Sequence, residues 1–85
     1  MQRTATIASP VGLHARPASV FVQAVAASGA DVTLRSGEKA VNAASILGVL
    51  SLGLASGATV TLESDDEAAL ETLVTILETD LDGES

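Results

Sequence analysis

Apolar positions along the chain switch between a spacing of two and a helical spacing, and each switch marks an element. Residues 3–8 alternate small apolar with polar side chains and stop at Ser9-Pro10, which reads as a strand with Ala5 and Ile7 turned inward. From Ala15 the period lengthens. Ala18, Phe21, Val22 and Val25 fall on one helical face, and Ser28-Gly29 supplies the stop that a left-handed C-terminal residue gives. Alternation returns in Asp31-Val32-Thr33-Leu34-Arg35 and, beyond the turn pair Ser36-Gly37, in Lys39-Ala40-Val41-Asn42, so a hairpin is predicted. Ser45 to Leu52 is apolar on most sides and closed by Gly53. It reads as a short helix with Val49 and Leu52 inward and Ile46, Leu47 and Leu50 partly outward. After Gly57, residues 58–63 alternate again, with Val60 and Leu62 inward. Ser64-Asp65-Asp66-Glu67 then fits a capping box, Ser64 accepting from a first-turn amide and Glu67 reaching back. It opens a helix whose inward face is Leu70, Leu73, Val74, Leu77 and Leu81.

The resulting order is βαββαβα. Alternating strands imply one buried and one wet sheet face, so the expected fold is an α+β open-faced β-sandwich, a four-stranded antiparallel sheet with three helices on one face. No linker, repeat or low-complexity tract interrupts the chain, and residues 1–85 are expected to form one domain with Asp82-Gly83-Glu84-Ser85 as a frayed tail.

Composition narrows the function. With 85 residues the chain suits one core and not a large multidomain enzyme. A net charge of −7 without Trp or Tyr lacks both the phosphate-neutralising charge and the stacking platforms of nucleic-acid binding, and argues against an anionic membrane surface as well. The absence of Cys excludes disulfides, thiolate metal sites and cysteine nucleophiles. One His with scattered carboxylates is poor material for zinc, so neither metal nor cofactor is expected. No segment approaches the ~20 apolar residues of a membrane span, and Met1-Gln2-Arg3-Thr4 begins no apolar leader, which gives the expectation of a cytoplasmic protein. The charges are segregated: residues 1–39 hold all four basic residues and two acids, and residues 40–85 the other nine acids. Chemistry on an anion therefore belongs to the first part of the chain.

Local rules and sequence disagree at Val11-Gly12-Leu13-His14-Ala15-Arg16-Pro17-Ala18. His14 stands where Ser, Thr, Asp or Asn would normally satisfy the orphan amides of a helix start, an odd choice for stability alone. Pro17 costs little in a first turn and fixes the backbone there. Helix-start amides and the helix dipole favour negative charge and a neutral, nucleophilic ring nitrogen; a phosphoryl group on that nitrogen would be bonded by the same amides. Arg16 adds a forked donor suited to phosphate oxygens. Positioning and electrostatics supply most of what phosphoryl transfer needs. From these two residues alone, a surface histidine and a solvated arginine remain the simpler account.

Other polar groups read more plainly. Ser45 is expected to cap the short helix, a place that would also accommodate a phosphate. Ile46, Leu47 and Leu50, extended by Leu13 and Val11, are expected to form an apolar docking patch beside His14. Asp65, Asp66, Glu67 and Glu71 read as a solvated, dipole-matched helix start and not as a metal cluster, and Ser9 has no base to make it a nucleophile.

Gly12-Leu13-His14-Ala15-Arg16-Pro17-Ala18 resembles the active-site motif of the HPr family, the histidine-containing phosphocarriers of the bacterial phosphotransferase system. Ala44-Ser45-Ile46-Leu47-Gly48-Val49-Leu50-Ser51-Leu52-Gly53 resembles that family's second motif, around a regulatory serine. The motifs, the length and the element order together cover essentially the whole chain. The resemblance implies that His14 accepts a phosphoryl group on Nδ1 from phosphorylated enzyme I, itself charged by phosphoenolpyruvate. It would pass the group to the enzyme IIA domains of sugar permeases, as a stoichiometric carrier and not an enzyme, and a monomer suffices for that. Arg16 would steady the phosphoryl group, with Gly12 and Pro17 shaping the turn. Ser45 matches the serine that an HPr kinase/phosphorylase modifies in some bacteria. Two alternatives stay open: a regulatory protein that binds a transcriptional regulator through phosphorylated Ser45, and a carrier of the nitrogen branch of the same system. Several relatives carry lysines on the first helix where this chain has Gln23 and Ala26, so docking is expected to rest on Arg16 and apolar contact.

Overall fold

Two-residue alternation decides which face of the sheet is buried, and the pairing register carries that decision across all the strands. The computed structural model describes residues 1–10 and 12–79. Its elements are β1 (Gln2–Thr6), α1 (Ala15–Ser28), β2 (Thr33–Ser36), β3 (Lys39–Asn42), α2 (Ile46–Ser51), β4 (Thr59–Glu63) and α3 (Glu67–Leu77). The strands form one sheet in the order β1-β4-β2-β3, and every pair is antiparallel. Ala5 lies opposite Val60, and Leu34 opposite Leu62; all four side chains are buried. The intervening residues put Thr4 opposite Thr61 and Thr6 opposite Thr59 on the other, wet face.

The apolar stripes of the helices close over the buried face. Phe21 and Val25 of α1, Val49 of α2 and Leu70, Leu73 and Leu77 of α3 join the strand residues in one core. α3 packs on β1, β4 and α1, while α2 packs between α1 and β3. This is the expected open-faced α+β sandwich. At its C-terminal end α1 stops at Gly29, whose φ of 69° is the left-handed conformation that lacks a steric penalty only in glycine.

Two local readings shift. The hairpin turn is Gly37-Glu38, one residue beyond the expected pair, because Ser36 still pairs with Lys39 and only Gly37, at φ 61°, takes the left-handed first turn position. The N-cap of α3 is Asp66 and not Ser64: Asp66 Oδ1 accepts from Ala69 N–H at 3.1 Å. Ser64 Oγ instead accepts from Asp66 N–H at 3.1 Å and shapes the turn leading in. With the cap two residues later Glu67 is the first helical residue, so it cannot reach back in a capping box, and its carboxylate accepts from Arg3 at 2.7 Å. Val11, Leu81 and the tail 82–85 lie outside the described residues. Among the described residues no helix is long and apolar enough to cross a membrane.

Candidate functional site

The start of α1 is built so that an imidazole stands on an exposed helix end. His14 has the extended backbone of an N-cap (φ −87°, ψ −168°), yet its side chain does not cap the helix. Its carbonyl accepts from Ala18 N–H at 2.9 Å. Pro17 has no N–H to offer, so the orphan donors of the first turn reduce to Ala15 and Arg16, neither of which donates its N–H to any described residue. Pro17 itself is buried, which anchors the turn, while His14 and Arg16 are exposed.

The approach to His14 is fixed by contacts distant in sequence. Gly12 N–H donates to Ser9 C=O at 3.0 Å, and Leu13 N–H donates to Leu54 C=O at 2.8 Å. Gly12 sits at φ +83°, and a Cβ there would lie 2.5 Å from the Leu54 carbonyl oxygen, so glycine is needed for both torsion and space. Leu13 is only 6% exposed and belongs to the core, which corrects its expected place in the docking patch. Its burial is useful elsewhere: an anchored Leu13 holds the chain so that the next residue emerges at the surface. Val11, the other proposed extension of that patch, lies outside the described residues.

Ser45 is the N-cap of α2, its Oγ accepting from Gly48 N–H at 3.0 Å. A Cβ at Gly48 would come within 3.2 Å of both Ser45 Oγ and Val41 Cβ, so glycine lets helix and strand approach. Leu13 is tied to Leu54, just beyond the C-terminal end of α2, which leaves Ser45 at the far end of that helix, about 10 Å along its axis. Leu47 is 78% exposed and Ile46 36%, while Leu50 is half-buried against the core. Val20, 42% exposed and one turn along α1 from Arg16, joins these outward residues. The sequence offered little sign of it, since a lone valine off the core stripe is ordinary.

Charge is arranged sparingly. Arg3 pairs with Glu67, and Arg35 Nε donates to Glu63 Oε2 at 3.0 Å. That hydrogen bond, reinforced by the attraction of the guanidinium, holds the Glu63 carboxyl below the usual carboxylate range and raises Arg35. Arg16 enters no ion pair with a described residue. Among the described residues no three His, Cys, Asp or Glu side chains converge as metal ligands. A groove between α1 and α3, lined by Ala24, Ala27, Ala69 and Thr72, lies toward the opposite end of α1 from His14 and takes no part in this arrangement.

Fold and helix start together define a class: a small α+β protein with an imidazole at an anion-favouring helix start on its surface. Residues 1–79 match the family model described as the phosphotransferase-system HPr component phosphorylation site. The phosphocarrier protein HPr of Streptomyces coelicolor is 45% identical over 80 residues, spanning 89% of this chain and 86% of that one. That of Lysinibacillus sphaericus is 41% identical over 75 residues, 85% of each. A crystal structure of HPr-C-His from Thermoanaerobacter tengcongensis superposes with a TM-score of 0.86 at 38% identity, covering 92% of this chain and 91% of the other. The chain belongs to the HPr family of phosphotransferase-system phosphocarriers.

Proposed function

We propose that His14 is the phosphoryl-carrying residue: it takes the group from phosphorylated enzyme I and yields it to enzyme IIA domains that serve carbohydrate uptake. The observation that carries this is an N-cap imidazole that does not cap its helix, beside the amides of Ala15 and Arg16, for which no described residue is an acceptor. In the step itself the Nδ1 lone pair attacks phosphorus, with the ring proton on Nε2. The new N–P bond forms as the bond from phosphorus to the donor breaks, and the donor keeps that electron pair. The phosphoryl oxygens then accept from the Ala15 and Arg16 amides and from the Arg16 guanidinium, and the positive helix end favours the charge they bring. Transfer to the next partner is the same displacement in reverse.

Gly12 and Pro17 support the site by fixing the backbone on either side of His14. An open helix end suits a cytoplasmic carrier that must meet several proteins in turn, and a monomer is enough for that task. Ser45, as the cap of α2, is a second modification candidate; a phosphate there would place charge on the face used for docking. The HPr family membership and the retained His14-Arg16 pair favour the carrier over a purely regulatory role through Ser45.

The test is incubation with enzyme I, magnesium and phosphoenolpyruvate, followed by intact mass before and after mild acid. The wild type should gain one acid-labile phosphate and folded His14→Ala none; equal labelling of the two proteins would overturn the assignment.

A further inference from the structure

We propose that Glu78 is a positioning residue for phosphoryl transfer: its carboxylate, bonded to the end of β1, fixes the direction in which the chain arrives at His14. This rests on the phosphocarrier reading and adds a residue of the third helix to a site otherwise made by α1 and the loop before it. The starting observation is a residue that helix rules disfavour. Glu78 is the C-cap of α3, where the helix dipole favours Lys, Arg or His, and no basic residue stands in that last turn. Among the described residues it joins no ion pair that would offset the misplaced charge. Its carboxylate instead accepts from a backbone donor, Thr6 N–H, at 3.3 Å.

β1 lies at the edge of the sheet, so one row of its backbone groups has no strand to meet. The last turn of α3 stands in for that strand. Thr6 N–H donates to Glu78 Oε2, and Ala8 N–H donates at 3.0 Å to the Leu77 carbonyl oxygen, a helix-end acceptor without a partner inside its own helix. Between them Ile7 faces the other way, its N–H donating to Ala58 C=O at 2.9 Å and its C=O accepting from Gly57 N–H at 2.8 Å. Residues 6–8 are thus gripped from both sides where the strand becomes the loop that carries His14.

Fixing both the place and the direction of His14 takes two anchors. One is Leu13, buried and bonded to Leu54; the other is Ala8, at the far end of the Ser9–Gly12 turn. If the Ala8 end drifts, the turn swivels about Leu13 and the helix start turns with it. Without the Glu78 carboxylate the outer grip falls from two hydrogen bonds to one, and that one belongs to a helix end, which frays most readily. In-line attack on phosphorus tolerates little of this, since a misplacement of about 1 Å can cost ~10²-fold in rate. The rate at saturation scales with the fraction of molecules in the competent orientation. The exposed side chains around His14 are unaltered, so the strength of donor docking stays as it was.

The experiment is rapid-quench single-turnover transfer from pre-phosphorylated enzyme I, over a range of enzyme I concentrations, to the wild type, Glu78→Ala and Glu78→Gln. Glutamine keeps an acceptor for Thr6 N–H and removes only the charge. Glu78→Ala should lower the saturating rate constant by about fivefold to tenfold with the half-saturating concentration changed by less than about twofold, while Glu78→Gln stays within about twofold of the wild type in both. Hydrogen exchange of the Thr6 amide should quicken in Glu78→Ala and not in Glu78→Gln. Neither variant should have a lower urea midpoint, because each relieves the negative helix end of a like charge. A Glu78→Ala rate equal to the wild type, a Glu78→Gln as slow as Glu78→Ala, or a loss confined to the half-saturating concentration would overturn the proposal. The final phosphate content of the wild type separates the two claims: full occupancy with equal rates removes only the role of Glu78, whereas no occupancy removes the carrier reading itself.

Discussion

At the scale of single residues, the site depends on where the backbone has no freedom. Gly12 must hold φ +83° with the Leu54 carbonyl oxygen where a side chain would begin. Gly12→Ala is expected to cost about 1–3 kcal/mol, read as a lowered urea midpoint with unchanged slope, and to displace His14 from its helix start. An unchanged midpoint would show that the loop tolerates a side chain there. The place of His14 was legible in the sequence because helical periodicity begins at Ala15, which fixes His14 as the residue before the helix. The burial of Leu13 was not. It falls in a loop without period, and a hydrogen bond to Leu54, far along the chain, decides which way it turns. Val20 escaped notice for the opposite reason: it lies on a helix whose core stripe was plain, and exposed valine carries no local signal.

At the scale of elements, caps and stripes determine the lengths and directions that bring the site together. Asp66 caps α3 and Ser64 shapes the preceding turn, so Asp66→Ala should cost about 1 kcal/mol in chemical unfolding and Ser64→Ala measurably less. The reverse ranking would restore Ser64 as the cap. Sequence rules could not choose between them because Ser and Asp are near-equal caps, and the deciding factor is where β4 releases the chain. Stripes, by contrast, were legible: Leu70, Leu73 and Leu77 are buried where their spacing put them. Leu73→Ala is expected to lose about 2–5 kcal/mol, and a loss below ~1 would mean that the core closes over the gap. α2, with six residues, is too short to be stable alone, and its packing on α1 and β3 sustains it.

At the scale of the whole molecule, the alternating strands announced one wet and one buried sheet face, yet the order β1-β4-β2-β3 could not be read locally, since it joins strands from opposite ends of the chain. On the wet face Arg35, Glu63 and Gln2 tie β2, β4 and β1 across the sheet. Because Arg35 holds the Glu63 carboxyl below its ordinary value, the ionised pair stabilises the fold above the unfolded carboxylate pKa, about 4.3, and that contribution disappears as pH falls through the depressed folded value. Glu63→Gln should therefore flatten the acid limb of a stability–pH curve while leaving its slope near neutrality unchanged. An acid limb parallel to that of the wild type would remove Glu63 from the account. The pair stands on the face opposite the helices, so transfer to and from His14 should be insensitive to the same substitution.

The central claim is that a phosphoryl group rests on His14 at the start of α1, held by the amides of that turn, and one measurement reaches it directly: nitrogen-15 and phosphorus NMR of the uniformly labelled protein before and after phosphorylation by enzyme I. The account predicts a phosphate bonded to Nδ1 of His14 and large downfield shifts of the Ala15 and Arg16 amide protons, with the α3 amides unmoved. A phosphate on any other residue, or one on His14 that leaves both amides where they were, would contradict it.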